Sequence, residues 1–372
     1  MTKNKPDLVF LALAAGLVLF GLVVLTSASG PIAYQKFQDG YWYLRHQVLY
    51  GLLPGLALFL VTSNVDYRFW RRFSLQFFIL GLILLLLVFL PGLSADWSSA
   101  RSWINVAGLS FQPAEAAKLA LLVFLAAWFE RVGEAGARDW QQGTLPFLIT
   151  LGLVAAPVLL QPDLGSLIII VVAAAALFFA AGASWSHLFG LLAAAAVAFF
   201  ALVKAVPYRA QRLTTFLHPE LDPLGIGYHI NQAYLAIGSG GLLGLGLGHS
   251  RQKYLYLPEV IGDSIFAVMA EELGFVLVIG FLILLMSFIW RGLRAARRAP
   301  DDFGRLLAVG IVAWIFFQSL FNIGSMLGLF PVTGLPLPFV SYGGTALMIL
   351  LGAVGLLANI AAHGGDHARR WF

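Results

Sequence analysis

Apolar runs recur along the whole chain, separated by short polar stretches. A helix needs roughly 20 apolar residues to cross a hydrocarbon core of ~30 Å. Ten segments reach or approach that length: 8–28, 46–62, 74–92, 113–130, 144–161, 166–183, 187–204, 264–290, 306–329 and 343–362. The pattern predicts an all-α polytopic membrane protein of about ten transmembrane helices, organised as a single integral membrane domain over residues 1–372. The first run follows Lys3 and Lys5 and ends near the small residues "TSASG". A cleaved leader is the alternative there. The run outlasts the 7–15 apolar residues of a leader and nine more follow, so it reads as the first span. No internal repeat stands out, which argues against folds built from duplicated halves.

One interval breaks the rhythm. Residues 204–263 are too long for a plain connector, and long loops in compact proteins are usually functional. Within them "GYHINQAYLAIGSGGLLGLGLG" (227–248) is apolar and glycine-rich. It predicts short amphipathic or re-entrant pieces at the outer surface. Irregular backbone at membrane depth is tolerated only inside protein or beside a water-filled cavity, so an outward-opening cavity is expected.

Composition supports the membrane reading. The chain is 60% hydrophobic and 11% charged, against roughly 25% charged in soluble domains. It has no cysteine, which excludes disulfides and Cys-ligated metal. The net charge of +5 is scattered between apolar runs and makes no case for nucleic acid. It sets orientation instead. With the N-terminus in the cytoplasm, Lys3, Lys5, Arg68, Arg71, Arg72, Arg131, Arg138, Arg291, Arg294, Arg297, Arg298, Arg305, Arg369 and Arg370 are cytoplasmic, fourteen of the 23 cations. Both termini therefore read as cytoplasmic.

Acids at the mouth of a membrane helix are expensive, and "YLPEVIGDSIFAVMAEELG" (256–274) holds four. Asp263 or Ser264 can cap the span that follows. Asp263 can equally be a general base or metal ligand at the cavity mouth. Glu271 and Glu272, eight and nine residues on, lie ~12–13 Å along an unbroken helix, which places them in the bundle interior with partners. "FQPAEAAKLALL" (111–122) puts Glu115 and Lys118 on one helix face, as an ion pair or with Lys118 turned to a phosphate. "QPDLGS" (161–166) sets Asp163 at a tight turn, where it caps the next span or partners Lys118. Arg101, Arg209 and Arg212 are outer-face cations beside aromatics; they snorkel to headgroups or meet a pyrophosphate. "LPLPFVSYGGTALM" (335–348), with Ser341, reads as a rigid outer loop entering the last span. His218, His229 and His249 share the long loop without a metal-binding spacing.

The ordered set "ARSWI…FQPAEAAKLA", "QPDLGS", "DPLGIGYHINQAYLAIGSGGLLGLGLGHSRQKYLYLPE", "GDSIFAVMAEELG" and "LPLPFVSYGGTAL" resembles the SEDS family (shape, elongation, division and sporulation), which includes FtsW, RodA and SpoVE. The resemblance covers residues 10 to 362. It implies ten spans with both ends cytoplasmic, and peptidoglycan glycosyltransfer: lipid II is polymerised at the outer face of the bacterial cytoplasmic membrane and undecaprenyl pyrophosphate leaves. By motif, the family's essential aspartate falls on Asp263. Its Glu and Lys fall on Glu115 and Lys118, and its "QPDLG" aspartate on Asp163. Its loop glutamate falls on Glu259, and its arginines on Arg101, Arg209 and Arg212. Ser341 takes a supporting place. Many members have His-Thr before the aspartate and Phe after it; here Ile261-Gly262 precede and Ser264 follows. "GLGLGHSRQKYLYLPE" is nearer FtsW and SpoVE than RodA.

That reaction needs a base for the attacking sugar hydroxyl and cations for the leaving pyrophosphate. Asp263 suits the first, as base or as ligand to Mg²⁺ or Mn²⁺. Arg101, Lys118, Arg209 and Arg212, with Glu259, suit substrate binding. The expected partners are lipid II, the nascent glycan, membrane lipids and a class B penicillin-binding protein. Two other functions use the same features: a lipid II flippase, and a noncatalytic scaffold for a wall-synthesis complex.

Overall fold

The computed structural model describes residues 6–93, 102–106, 109–205, 214–218 and 225–364, with backbone alone at residues 106, 109, 198–205 and 226. In chain order the helices are α1 Leu8–Phe37, α2 Trp42–Asn64, α3 Tyr67–Arg72 and α4 Ser74–Leu87, then α5 Pro113–Arg138, α6 Trp140–Leu160, α7 Leu164–Ala180 and α8 Trp185–Ala205, and finally α9 Ile226–Gly240, α10 Ile265–Arg298, α11 Asp302–Met326 and α12 Gly344–His363. A two-stranded antiparallel ribbon, β1 Ile104–Val106 and β2 Leu109–Phe111, precedes α5. All ten predicted segments fall on helices. Among the described residues six helices, α1, α2, α6, α10, α11 and α12, are long and apolar enough to cross a membrane; α4, α7 and the first part of α8 are shorter apolar helices. The 26-residue α5 carries charges within its length, Glu115 and Lys118 near one end and Glu130 and Arg131 near the other.

Helices α11 and α12 form the centre of the bundle, with Trp314 the bulkiest fully enclosed side chain. Around them pack α2 against α12, α7 and α5 against α11, and α1 and α9 against α10. A hydroxyl bond from Thr62 to the Gly352 carbonyl (2.9 Å) ties α2 to α12. One end of the bundle gathers the start of α1 and the end of α12. Asp7, capping α1, pairs with Arg291 (3.3 Å), and His363 at the end of α12 lies edge-on to Tyr67 (5.5 Å). The predicted cytoplasmic arginines 68, 71, 291 and 298 share that end.

Helix α1 serves as a ruler for the bilayer. It runs antiparallel to α10, with Phe10 stacked on Phe288 and Phe20 on Phe281. At one end Asp7 meets Arg291; at the other the Ser27 hydroxyl donates to Glu272 (2.5 Å). The twenty residues between Asp7 and Ser27 span ~30 Å, one hydrocarbon thickness. On that measure Glu272 lies about one hydrocarbon thickness from the Asp7–Arg291 end. The depth expected for Glu271 and Glu272 from an unbroken helix is corrected by this geometry, because α10 is broken at Gly274 (φ 71°, ψ 177°). An intact helix would bond the amides of residues 275 and 276 to the carbonyls of 271 and 272. Here those carbonyls accept from Leu245 and Gly246, while the Phe275 and Val276 amides donate to Gly241 and Leu242. The loop after α9 thus replaces one turn of α10. Every residue from Ile265 to Gly274 is buried, whereas Phe275, Val276 and Leu277 are exposed. The membrane-crossing part of α10 starts at Phe275, and the ten residues before it, Ile265 to Gly274, belong to the outer site. The predicted re-entrant character of 227–248 takes this form: an amphipathic helix, α9, followed by an inserted glycine-rich loop.

Candidate active site

Asp263 ends a compact turn at the outer mouth of α10. The Glu259 carbonyl accepts from the Gly262 amide (2.9 Å) and the Ser264 amide (3.2 Å), which folds residues 259–264 back on themselves. Glu259 takes a left-handed conformation (φ 50°) and is exposed, and Gly262 leaves space for its carboxylate. Asp263 is only 7% exposed and Ser264 fully buried. The Ser264 side chain does not bond the first amides of α10, so its capping role does not hold. The Ser264 hydroxyl instead lies 2.6 Å from Nε2 of His229 on α9 and 3.4 Å from Oδ1 of Asp263.

Two neighbouring elements fix this turn through its backbone. Asn322 of α11 donates from Nδ2 both to the Asp263 carbonyl (2.8 Å) and to the Leu335 carbonyl (2.7 Å). Ser341 donates to the Gly262 carbonyl (2.6 Å) and accepts from the Leu337 amide (2.7 Å). The Tyr342 amide bonds the Ile261 carbonyl (2.8 Å). The proline-containing loop predicted at 335–348 is thus a brace for residues 261–263. A buried bond of this kind is costly to leave unmade, so the brace restricts where the Asp263 carboxylate can point.

The same loop links to Glu115 and Lys118. Their ion pair (2.9 Å) is almost completely buried. Nζ of Lys118 also bonds Oε1 of Gln318 (3.1 Å) and sits 4.8 Å from the centre of the Trp314 ring. Gln318 passes the connection on, donating to the Pro336 carbonyl (2.9 Å). An adjoining cavity, lined by Glu115, Trp314, Gln318, Pro336 and Ser341, measures about 20 Å³. That is room for one water and too little for a phosphate, so Lys118 is held by protein groups in this conformation. The sharper reading of Asp163, as partner of Lys118, gives way to the simpler one: Asp163 caps α7, accepting from the amide (3.0 Å) and hydroxyl (2.7 Å) of Ser166, and also accepts from Gln112 (3.2 Å).

Glu271 and Glu272 clamp the segment that leads to Glu259. Glu271 accepts from the Ser250 hydroxyl and the Arg251 and Gln252 amides, at 2.5–3.3 Å. Glu272 pairs with Lys253 (2.6 Å) and accepts from Ser27 and the Ser250 amide. These are the expected buried acids with partners, but the partners come from the outer loop.

Arg101, Arg209 and Arg212 lie outside the described residues. No group of three or more His, Asp or Glu side chains able to hold a metal occurs among the described residues. Sequence reasoning missed Gln318 and Asn322, which brace the site, and the contact of His229 with Ser264. The first pair carried a readable signal: Gln318, Asn322 and Ser325 place a polar stripe at helical spacing on an otherwise apolar span.

Comparison with known proteins follows the same outline. The profile of a family described as cell cycle proteins, FtsW, RodA and SpoVE, matches residues 7–365. The chain is 40% identical over 364 residues to stage V sporulation protein E of Bacillus subtilis, covering 97% of this chain and 98% of that one. It is 39% identical over 358 residues to a probable peptidoglycan glycosyltransferase FtsW of Geobacter metallireducens, covering 96% and 95%. Among solved structures, a chain from work on the structural coordination of polymerization and crosslinking by a peptidoglycan synthase complex superposes with a TM-score of 0.79 at 30% identity, covering 96% of this chain and 98% of that one. The crystal structure of Thermus thermophilus rod shape determining protein RodA superposes with a TM-score of 0.70 at 29% identity, covering 96% and 97%.

Proposed function

The chain belongs to the FtsW, RodA and SpoVE family of cell cycle proteins, and from that premise we infer that it is a multi-pass peptidoglycan glycosyltransferase of the bacterial cytoplasmic membrane whose catalytic base is Asp263. It polymerises peptidoglycan for division or elongation. The observation that carries the assignment of Asp263 is the bracing of its turn by Asn322 and Ser341, which confines a nearly buried carboxylate at the outer mouth of α10.

The chemistry follows from that placement. Asp263 takes the proton of an acceptor sugar hydroxyl as its oxygen attacks the anomeric carbon of the lipid-linked donor. The bond to pyrophosphate breaks, and the lipid pyrophosphate leaves with inversion at carbon. A base works within hydrogen-bond reach of the proton it removes. Arg101, Arg209 and Arg212 are assigned to the charge growing on the leaving group. Glu259, exposed at the same turn, is assigned to substrate binding. Lys118 and Glu115, closed off by Gln318 and Trp314, act on the donor through the 335–341 loop unless that loop opens. The lipid tails remain in the bilayer.

Mg²⁺ or Mn²⁺ fits the donor chemistry, since hard carboxylate oxygens suit it and such ions are commonly held by one or two carboxylates together with substrate phosphates. Asp263 and Glu259 are the residues that would hold it, and the ion would neutralise pyrophosphate charge. The partner is assigned as a class B penicillin-binding protein, in keeping with the likeness to a chain from a synthase complex. The FtsW and SpoVE leaning rests on the stretch "GLGLGHSRQKYLYLPE" and is in keeping with identities of 39–40% to SpoVE and FtsW relatives.

Asp263→Asn in purified full-length protein, given lipid II and a divalent cation, tests the assignment. Glycan polymerisation falls at least ~100-fold if the carboxylate is the base. Full retention overturns it. Lipid II translocation across vesicles that survives in the same variant would favour a separable flippase activity.

A further inference from the structure

Ser264 poses a problem that its position does not solve. It stands at the N-cap of α10, where a serine hydroxyl normally accepts a backbone N–H and contributes about 1 kcal/mol. Its hydroxyl makes no such bond. It is fully buried, and its two contacts are Nε2 of His229 at 2.6 Å and Oδ1 of Asp263 at 3.4 Å. The cap is given up for a side-chain connection between α9 and the catalytic carboxylate.

We propose that Ser264 and His229 are positioning residues for Asp263, with His229 acting through the Ser264 hydroxyl to hold the carboxylate in its reactive orientation. The argument is one of hydrogen count. A hydroxyl has one proton to give. An ionised carboxylate only accepts, so that proton must point to Asp263 for the contact to bind. The Ser264 oxygen is then left to accept from His229, which requires the proton on Nε2. Reversed, with Nε2 accepting, the Ser264 proton turns away and Oδ1 meets a lone pair. His229 thereby sets the direction of the connection. The brace from Asn322 and Ser341 acts on the backbone of residues 262 and 263, whereas this connection acts on the carboxylate itself. It also gives α9 a reason to be packed along α10.

The inference rests on Asp263 being the base, and the experiment separates the two ideas. Lipid II polymerisation is measured as kcat and KM on full-length Asp263→Asn, Ser264→Ala, Ser264→Thr, His229→Phe, His229→Gln and the Ser264→Ala/His229→Phe double variant. Loss of one hydrogen bond to a charged group predicts a fall in kcat of ~10-fold for Ser264→Ala, with KM within about twofold. His229→Phe falls by a similar factor. The double variant is no slower than Ser264→Ala alone, because residues acting in series are not additive. Ser264→Thr and His229→Gln, which keep a hydroxyl and an N–H donor, recover to within about threefold of wild type. Wild-type kcat in Ser264→Ala or His229→Phe overturns the inference, as does a double variant ~100-fold down, the product of two independent losses. If His229→Phe fails to fold, wild-type kcat in Ser264→Ala still overturns it. An inactive Asp263→Asn beside an unaffected Ser264→Ala sinks this proposal alone; an active Asp263→Asn sinks the base assignment beneath it.

Discussion

Replacing Lys253 by methionine tests whether the outer loop is held down by buried charge. Lys253 and Glu272 are each 3% exposed and their charged atoms lie 2.6 Å apart. Removing one partner of a buried pair costs about 3–5 kcal/mol, because the other charge stays buried and uncompensated. Glu272 keeps its bonds from Ser27 (2.5 Å) and the Ser250 amide (3.3 Å), so the lower end, ~3 kcal/mol, applies. The strain is local. It falls on residues 245–258, which Glu271 and Glu272 pin to α10, and opening of that segment is read by amide hydrogen exchange. At 1.4 kcal/mol per decade, ~3 kcal/mol speeds exchange by about 100-fold. The reporters are the Tyr254 and Leu257 amides, which bond Arg251 and Gln252 carbonyls, and peptides from α12 serve as the unaffected control. Adding Glu272→Gln to Lys253→Met removes the stranded charge while leaving an amide oxygen to accept from the Ser250 amide and an N–H that the Ser27 hydroxyl can accept. The double variant is expected within about tenfold of wild type. If it exchanges as fast as Lys253→Met alone, charge burial does not hold the loop and the reasoning fails.

Gly274→Ala should be the most damaging single change in the outer half of the protein. A Cβ there would lie 2.1 Å from the Gly244 nitrogen at a φ of +71°, and this backbone region is essentially open to glycine alone at a cost of ~1–3 kcal/mol before any clash; a thermal unfolding midpoint equal to wild type would refute the interlock. Tyr342 supplies a pH dependence. Burial, and next the nearby Tyr43, push its hydroxyl up to about 12, so the folded state favours the protonated form. The stability this contributes is complete below pH ~10 and is lost as pH rises through about 12. Tyr342→Phe should remove that part of the decline in unfolding temperature across the window, and an unchanged decline would count against the buried hydroxyl as its source.

How far the chain could be read depended on how local the cause was. The ten apolar runs are local, so helices were legible, although their ends were not. The chain between α4 and β1 was assigned partly to a span up to residue 92, yet the helix stops at Leu87; leucines at the end of a span look the same in sequence whether they are helical or not. Glu271 and Glu272 show a deeper limit. Their partners could be expected from the cost of burying acids, but their depth could not, since it depended on a break at Gly274 that exists only because residues 241–246 donate and accept in place of a helical turn. That cause lies thirty residues away in sequence.

Asp263 shows the converse. Motif order singled it out, while local chemistry offered a helix cap as an equally good account. The structure shows that Ser264, the residue at the cap position, accepts nothing from the first amides of α10. What holds Asp263 comes instead from α11, from the loop before α12 and, through Ser264, from α9. Each of these is a polar side chain on an apolar element, expensive to bury without a partner. Asn322 on α11 and Ser341 in the loop could have been suspected on that ground. Their convergence on the backbone of one turn, residues 262 and 263, could not, because it is a property of how the bundle packs. The acid is thus a catalytic candidate less for being acidic at a membrane mouth than for being the point on which three separate elements spend their buried hydrogen bonds.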